Sequence, residues 1–553
     1  MLRLAQYIEC RSLWIDEARL SLNVASRSWL GLLAPLDYDQ AAPVPFLWAQ
    51  RLLVRIGGVN EYSLRFLSLL AGVLLPFLAW KLARRLLSER PALLVTALVA
   101  FSPMLIRYAN EAKPYGIDAL VSVWLSIMAV DLVQAPPPLR RWLGLTVGGL
   151  VAVAVSIPAV LVLAGIGLAL LLAPAVRETR HGLLRVVGMG AVWLAAFGGL
   201  YIAFYRAASH AGFLQEFWEF AFLRPGAPDL AARVWGAVNG VMSGVLVGSL
   251  DADRWGPAVM LGVAAQAAAA TVLWIAGTVA IARRQGWWLA ALFAGPVLAA
   301  AAASAVGAYP ITVRLMLFAV PGVLLLLVVG VSATGDWFSG RARMVVAAGL
   351  ALCFLGPALG RALLTSISPI RQQDTRPVIA EFERLHKGSD PVYVYAAAVP
   401  AWTFYTTDWS RPDTARLRWM ARQSSSGGAA FPSMSSRGHA VSGEGTELVY
   451  PYRGRQELIG IPTGRPLRWG GTGGPTAPDP GWADNEAERI RRAAGDRVWV
   501  FFMPISPGDR EPNLGSLRAG LESRGGALQS EVHRREAELY LYQFPGSPEL
   551  VSP

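Results

Sequence analysis

Four short polar motifs stand between long apolar runs: Trp14-Ile15-Asp16-Glu17-Ala18, Leu36-Asp37-Tyr38-Asp39-Gln40, Arg107 through Tyr115, and Tyr309-Pro310-Ile311-Thr312-Val313-Arg314. Asp16 and Glu17 open an amphipathic stretch of the kind that lies along a membrane surface. A carboxylate placed there can act as general base and take a proton from a hydroxyl. The plainer reading makes Asp16 an N-cap and Glu17 a first-turn acid facing the helix dipole. Asp39 and Gln40 offer a carboxylate and an amide suited to sugar hydroxyls or to a hard cation, though spacing alone does not count its ligands; their plainer reading is a solvated turn. Glu111 and Lys113 lie two residues apart and share a face only on extended chain. Lys113 is one of three lysines, with Lys81 and Lys387, in a chain that otherwise uses arginine. Its compact ammonium suits a phosphate oxygen, or else snorkels to lipid headgroups. Arg314 opens an apolar run, as an interfacial anchor or as a second cation gripping an anionic leaving group. No motif decides the matter alone; their joint placement does.

That placement depends on the apolar runs. The 553 residues are 54% hydrophobic and only 16% charged, with net charge +12, and mean hydropathy is +0.41. A soluble protein of this size is less apolar, and a basic excess in such a chain points to loops facing anionic lipid before nucleic acid. Crossing the hydrocarbon core takes about 20 apolar residues. Spans are expected near 62–81, 91–106, 115–133, 142–156, 158–174, 184–205, 257–282, 287–305, 314–333 and 343–364, the fourth and fifth divided at Ser156-Ile157-Pro158. Arginine-rich loops at 81–90, 134–142, 175–185, 283–286 and 334–343 alternate with the other connections, so the positive-inside rule puts them in the cytoplasm. All four polar motifs then emerge on the opposite side. Parity calls for a further span before residue 10, of which Met1–Glu9 offers a remnant, so a truncated first helix is expected. The almost wholly apolar spans 142–174, 257–282 and 287–305 disfavour a translocation path for a lipid-linked glycan, the first competing function; a non-catalytic envelope scaffold is the second.

From about Ile367 the composition changes. Strand-like runs at Val392, Arg497 and Glu538 alternate with helical patterns at 374–387, 484–495 and 513–524, and Ser/Gly-rich 423–445 and Gly/Pro-rich 470–481 read as loops. Residues 1–364 are therefore expected to form a membrane domain and 365–553 an extracytoplasmic α/β domain. Cys10 and Cys353 are unsuited to a disulfide, the five histidines lack ligand spacing, and no GxGxxG follows a strand.

With Trp14-Ile15-Asp16-Glu17-Ala18, Asp39-Gln40-Ala41-Ala42-Pro43, Leu64-Arg65-Phe66, Tyr108 through Tyr115, and Tyr309-Pro310 before Arg314, residues 1–364 resemble bacterial GT-C membrane glycosyltransferases. The resemblance is to the RgtA/B/C/D-like branch, related to protein O-mannosyltransferases and aminoarabinose transferase ArnT. It implies a polytopic α-helical fold of about 10–11 transmembrane helices in the bacterial inner membrane. It further implies inverting transfer from a polyprenyl-phosphate sugar to a hydroxyl of a glycan, lipid or protein acceptor on the extracytoplasmic face. By this resemblance Asp16 is the catalytic base, with Glu17 orienting it or the acceptor; Lys113, Arg314 and Arg107 steady the lipid phosphate; Asp39, Gln40, Glu111, Tyr115 and Tyr309 line the sugar and acceptor site. The resemblance makes no cofactor certain and leaves a divalent cation, bound by some relatives near these loops, as the one candidate. Membrane lipid is the expected surrounding, and nucleic acid is not an expected partner.

Overall fold

In lipid every backbone polar group needs an internal partner, so the apolar runs can satisfy themselves only as helices. A computed structural model describes residues 1–133, 138–179, 181–206, 215, 217–248, 252–369, 371–386, 388–424, 448–461, 481–504 and 510–545. Its first helices are α1 (Leu2–Ile8), α2 (Ile15–Ser26), α3 (Val44–Gly57), α4 (Glu61–Leu86), α5 (Glu89–Phe101), α6 (Pro103–Tyr108), α7 (Tyr115–Val133), α8 (Leu139–Val155) and α9 (Ala159–Leu172). Later come Gly182–Leu200, Leu230–Leu246, Ala252–Gln285, Trp287–Ala305, Val320–Gly335 and Gly340–Ile367. Among the described residues six helices are long and apolar enough to cross a membrane, at Glu61–Leu86, Tyr115–Val133, Gly182–Tyr205, Gly256–Gln285, Trp287–Ala305 and Gly340–Ile367. The chain is a multi-pass α-helical membrane protein.

Each of the ten expected spans contains a helix, but several are shorter than their apolar run. Pro103 starts a new helix after Ser102 turns extended (ψ 118°), which divides 91–106. Ser156, extended at φ −146° and ψ 118°, separates α8 from α9 as Pro158 requires. Pro321 in the first turn of Val320–Gly335 sets that helix's start. Arg314 therefore sits on the turns before the helix, and the expectation that it opens the span is corrected. Hydropathy sees the run; proline sets the helix.

One end of the bundle collects arginines. Arg85 Nε meets Asp131 Oδ1 at 2.7 Å, Arg141 Nη1 donates to the Asp131 carbonyl at 2.8 Å, and Arg343 and Arg284 both pair with Asp336. In mid-bundle, helices Ala252–Gln285 and Val320–Gly335 touch backbone to backbone. A Cβ at Gly277 would lie 1.9 Å from the Leu326 carbonyl oxygen, and one at Gly330 equally close to that of Leu273.

After Ile367 a six-stranded sheet forms in the order β2-β3-β1-β4-β6-β5, from β1 (Val392–Val394), β2 (Val449–Tyr452), β3 (Arg455–Ile459), β4 (Arg497–Phe502), β5 (Ala527–Arg534) and β6 (Ala537–Gln543). Its centre, β3-β1-β4, is parallel and its edges antiparallel. Helices Thr375–Leu385, Val399–Thr406, Trp482–Ala493 and Arg510–Glu522 accompany it. The expected loops fall mostly outside the described residues, at 425–447 and 462–480. Under this sheet Glu457, fully buried, accepts from Arg416 Nε (2.7 Å), Arg416 Nη2 (3.0 Å) and Trp402 Nε1 (3.0 Å). Arg416 also reaches Thr406 and Thr407 and stacks on Tyr452, and Arg455 pairs with Glu383.

Packing does not divide where the sequence does. One apolar core joins Val394, Trp402, Phe501 and Tyr540 of the sheet domain to Leu13, Trp14, Ala18, Leu22, Phe46 and Leu64. Helix α2 is thereby covered by protein and does not lie along lipid, which corrects the expectation from its amphipathic pattern. Helix α3 does leave Trp48, Leu52 and Ile56 exposed, as a surface helix would.

Candidate active site

The polar end opposite the arginine-rich one is built from four connections. Residues 10–14 form an irregular strap leading into α2, whose first turn carries Asp16 and Glu17. Residues 27–43 lead to α3, residues 109–114 join α6 to α7, and residues 306–319 precede Val320–Gly335.

Arg314 Nη1 donates to Asp16 Oδ2 at 2.6 Å, and both side chains keep 17% exposure, so the pair is approachable. The Arg314 guanidinium lies between the rings of Trp14 (5.5 Å) and Trp218 (5.1 Å), which fixes its plane. Burial favours the neutral acid at Asp16, but Arg314, then Lys113 and Arg19, outweigh it and hold the carboxyl down at about 2. Tyr309 OH donates to the Leu315 carbonyl at 2.7 Å, so this tyrosine ties down the Arg314 turn.

Glu17 is buried and saturated. It accepts from Arg65 Nε and Nη2 at 2.7 Å each and from Ala112 N at 2.8 Å, with Arg11 3.9 Å away. Burial would raise its carboxyl; Arg65 and Arg11 hold it below the usual range. Glu17 thus ties α2, α4 and the 109–114 connection together, beside Asp16.

Lys113 is buried, and its Nζ donates to Gln40 Oε1 at 2.5 Å. Burial pushes the ammonium down, while the Asp16 carboxylate opposes it. Gln40 is presented by Tyr38 and Asp39, which both take left-handed backbone (φ 62° and 54°), a strained pair of non-glycine residues. Arg107 meets Glu111 Oε1 at 3.2 Å and donates to Gln372 at 2.7 Å. With Arg11, Tyr108, Val313 and Arg361 it lines a pocket whose wall reaches Val313, next to Arg314, but includes neither Asp16, Arg314 nor Lys113. Glu111 is fully buried with Oε2 lacking a hydrogen-bond partner, and Tyr115 packs edge-to-face on Tyr108 at 5.4 Å.

The structure therefore gathers Asp16, Glu17, Lys113, Arg314, Gln40, Asp39, Glu111, Arg107 and Tyr115 around one region, with Tyr309 behind the Arg314 turn. Sequence reasoning missed Arg11 and Arg19, and named Arg65 only within a motif, with no role. Arg19 stands three residues after Asp16, on the same helix face, and that spacing was the available signal. Among the described residues no group of three or more His, Cys, Asp or Glu side chains is placed to hold a metal ion.

Residues 41–200 match the model of the dolichyl-phosphate-mannose-protein mannosyltransferase family. The resemblance to the protein O-mannosyltransferase side of the GT-C glycosyltransferases is met in this segment; the match does not distinguish the RgtA/B/C/D-like branch. Among solved structures, ArnT from Cupriavidus metallidurans in the apo state is 12% identical, with 97% of this chain and 96% of that chain covered and a TM-score of 0.46. ArnT bound to undecaprenyl phosphate is 13% identical, with 100% and 98% covered and a TM-score of 0.46. The archaeal oligosaccharyltransferase AglB from Archaeoglobus fulgidus, in complex with an inhibitory peptide and a dolichol-phosphate, is 11% identical, with 98% and 71% covered and a TM-score of 0.45. No curated protein matches the chain in sequence.

Proposed function

We propose that this chain is a membrane glycosyltransferase that moves a sugar from a polyprenyl-phosphate donor to an acceptor hydroxyl, inverting the anomeric centre, on the extracytoplasmic face. The observation that carries the reading is the Asp16–Arg314 contact at 2.6 Å, made across 298 residues of chain with Lys113 in the same electrostatic cluster. Six cations, Arg11, Arg19, Arg65, Arg107, Lys113 and Arg314, surround four carboxylates, Asp16, Glu17, Asp39 and Glu111. Buried positive charge in excess favours an anionic guest, and a lipid phosphate is one. The matched family is named for a dolichyl-phosphate-linked sugar, in keeping with that guest.

In the reaction the acceptor oxygen forms a bond to the anomeric carbon as the bond to the phosphate oxygen breaks. The acceptor proton passes to Asp16, and the charge left on the phosphate is met by Lys113 and Arg314. A carboxyl held near 2 is a weak base at neutral pH. When the donor phosphate draws Arg314 toward itself, that restraint relaxes and Asp16 becomes more basic as the donor arrives. Orientation of the two substrates can contribute about 7–11 kcal/mol in favourable cases. Sidedness rests on the arginine-rich helix ends lying opposite the site, which the positive-inside rule assigns to the cytoplasm. The expected surroundings are the bacterial inner membrane.

The test is reconstitution in liposomes with polyprenyl-phosphate sugars and mass spectrometry of the products. Sugar transfer that disappears in Asp16→Asn is expected. Movement of intact donor across the bilayer without transfer would favour a flippase instead. Single cysteines at 224 and 341, in a background without Cys10 and Cys353, should label from opposite sides; labelling from one side would overturn the sidedness.

A further inference from the structure

We propose that the C-terminal domain positions the catalytic base, with Gln373 and Tyr405 as positioning residues that hold the strap carrying Asp16; this rests on the function proposed above. The strap, residues 10–14, has no helix or sheet ladder, so its backbone groups must find partners one by one. From the bundle, Arg65 Nη1 and Nη2 donate to the carbonyls of Arg11 (2.7 Å) and Ser12 (3.1 Å). Locally, Cys10 N donates to the Tyr7 carbonyl at 3.1 Å and Trp14 N to Glu17 Oε2 at 3.4 Å; further ties come from a segment more than 350 residues later. Gln373 Oε1 accepts from Ile15 N at 2.7 Å, at the first residue of α2 and one before Asp16. Tyr405 OH accepts from Leu13 N at 2.7 Å and donates to Glu61 Oε1 at 2.9 Å. Arg376 Nη2 donates to the Cys10 carbonyl at 2.7 Å, and Ser12 Oγ donates to Asp374 Oδ1 at 2.8 Å.

Gln373 is itself pinned. Its Nε2 donates to the Pro504 carbonyl at 3.0 Å, just beyond the central strand β4, and its backbone takes a left-handed φ of 45°. Sheet, glutamine and α2 N-terminus thus form a chain of contacts ending one residue from the base. The strap is gripped from below by α4 and from above by the sheet domain, and Asp16 needs both.

The consequence separates positioning from simple stability. Displacing Asp16 should spoil proton removal from the acceptor, while the donor phosphate still meets Lys113 and Arg314. In the full-length protein in nanodiscs, Gln373→Leu and Tyr405→Phe should each raise hydrogen exchange over residues 10–26 and leave residues 320–335 unchanged. Unchanged exchange over 10–26 would overturn the proposal, whether or not the protein transfers sugar. With transfer established, kcat should fall about 10- to 100-fold while KM for donor stays within about twofold. A loss confined to yield or Tm, with kcat per folded molecule intact, would show that these contacts only stabilise, and would equally overturn it. Arg384→Gln, which breaks an exposed pair with Glu381 on the same Thr375–Leu385 helix, should alter neither exchange nor kcat.

Discussion

Two buried ion networks sit on either side of the junction between bundle and sheet domain, and they differ in charge balance. Around Glu457, two arginines face two carboxylates; the bonds of Arg416 go to Glu457, Thr406 and Thr407 with Tyr452 covering its plane, while Arg455 Nε lacks a hydrogen-bond partner. Around Asp16, cations outnumber carboxylates, Glu111 Oε2 and Arg19 Nε lack hydrogen-bond partners, and the 36–40 connection carries two left-handed residues. Both networks are buried, so burial of charge does not by itself mark a site. An unpaired atom does not either, since each network has at least one; excess charge does: a network whose charges cancel serves the fold, and one with cations left over suits an anionic ligand.

Mutation can break or sharpen this contrast. Asp16→Asn should cut transfer by about 10²–10⁴-fold in protein that still folds, measured by product mass spectrometry and a cooperative melt in detergent; retained turnover removes Asp16 from the chemistry. Glu457→Gln should do the reverse. It strands a buried arginine and should destabilise by about 3–5 kcal/mol, while kcat per folded molecule holds. If Glu457→Gln instead kills transfer in protein that remains folded, the two networks are not separable. Lys113→Ala should raise donor KM by about 10- to 100-fold, the loss expected for a charged hydrogen bond of about 1.5–3 kcal/mol; unaltered donor kinetics would exclude its phosphate role.

The smallest effect is a pH dependence. Asp16 is held at about 2 when folded, below the ordinary carboxylate range of about 3.9 when unfolded. Its contribution is therefore fully present above the unfolded value and is lost as pH falls through the folded one. The Tm gap between the wild type and Asp16→Asn should be widest above about pH 5 and close toward pH 2, a difference of about 2 kcal/mol. A gap independent of pH would mean that Asp16 is not held as an ion by Arg314.

Much of this was legible in the chain. Apolar runs and arginine-rich loops gave the helices and the common end for Asp16, Lys113 and Arg314, because hydropathy and loop charge are local properties. What escaped was long-range. Nothing near Glu17 announces that Arg65, 48 residues away, will saturate it, so the acid expected to orient Asp16 or the acceptor is a tie between α2 and α4. The amphipathic pattern of α2 is the same whether lipid or a folded domain covers it, and the domain does. In the sheet, β2 carries Pro451 at an edge, where its missing N–H is harmless, and β5 is largely exposed with no alternating apolar face. Neither strand leaves a periodic signal.

The Gly277–Gly330 contact has a reach beyond its own seam. The helix that holds Gly330 starts at Val320, six residues after Arg314. One methyl group at that crossing would meet a carbonyl oxygen 1.9 Å away and force the two rods apart along their length.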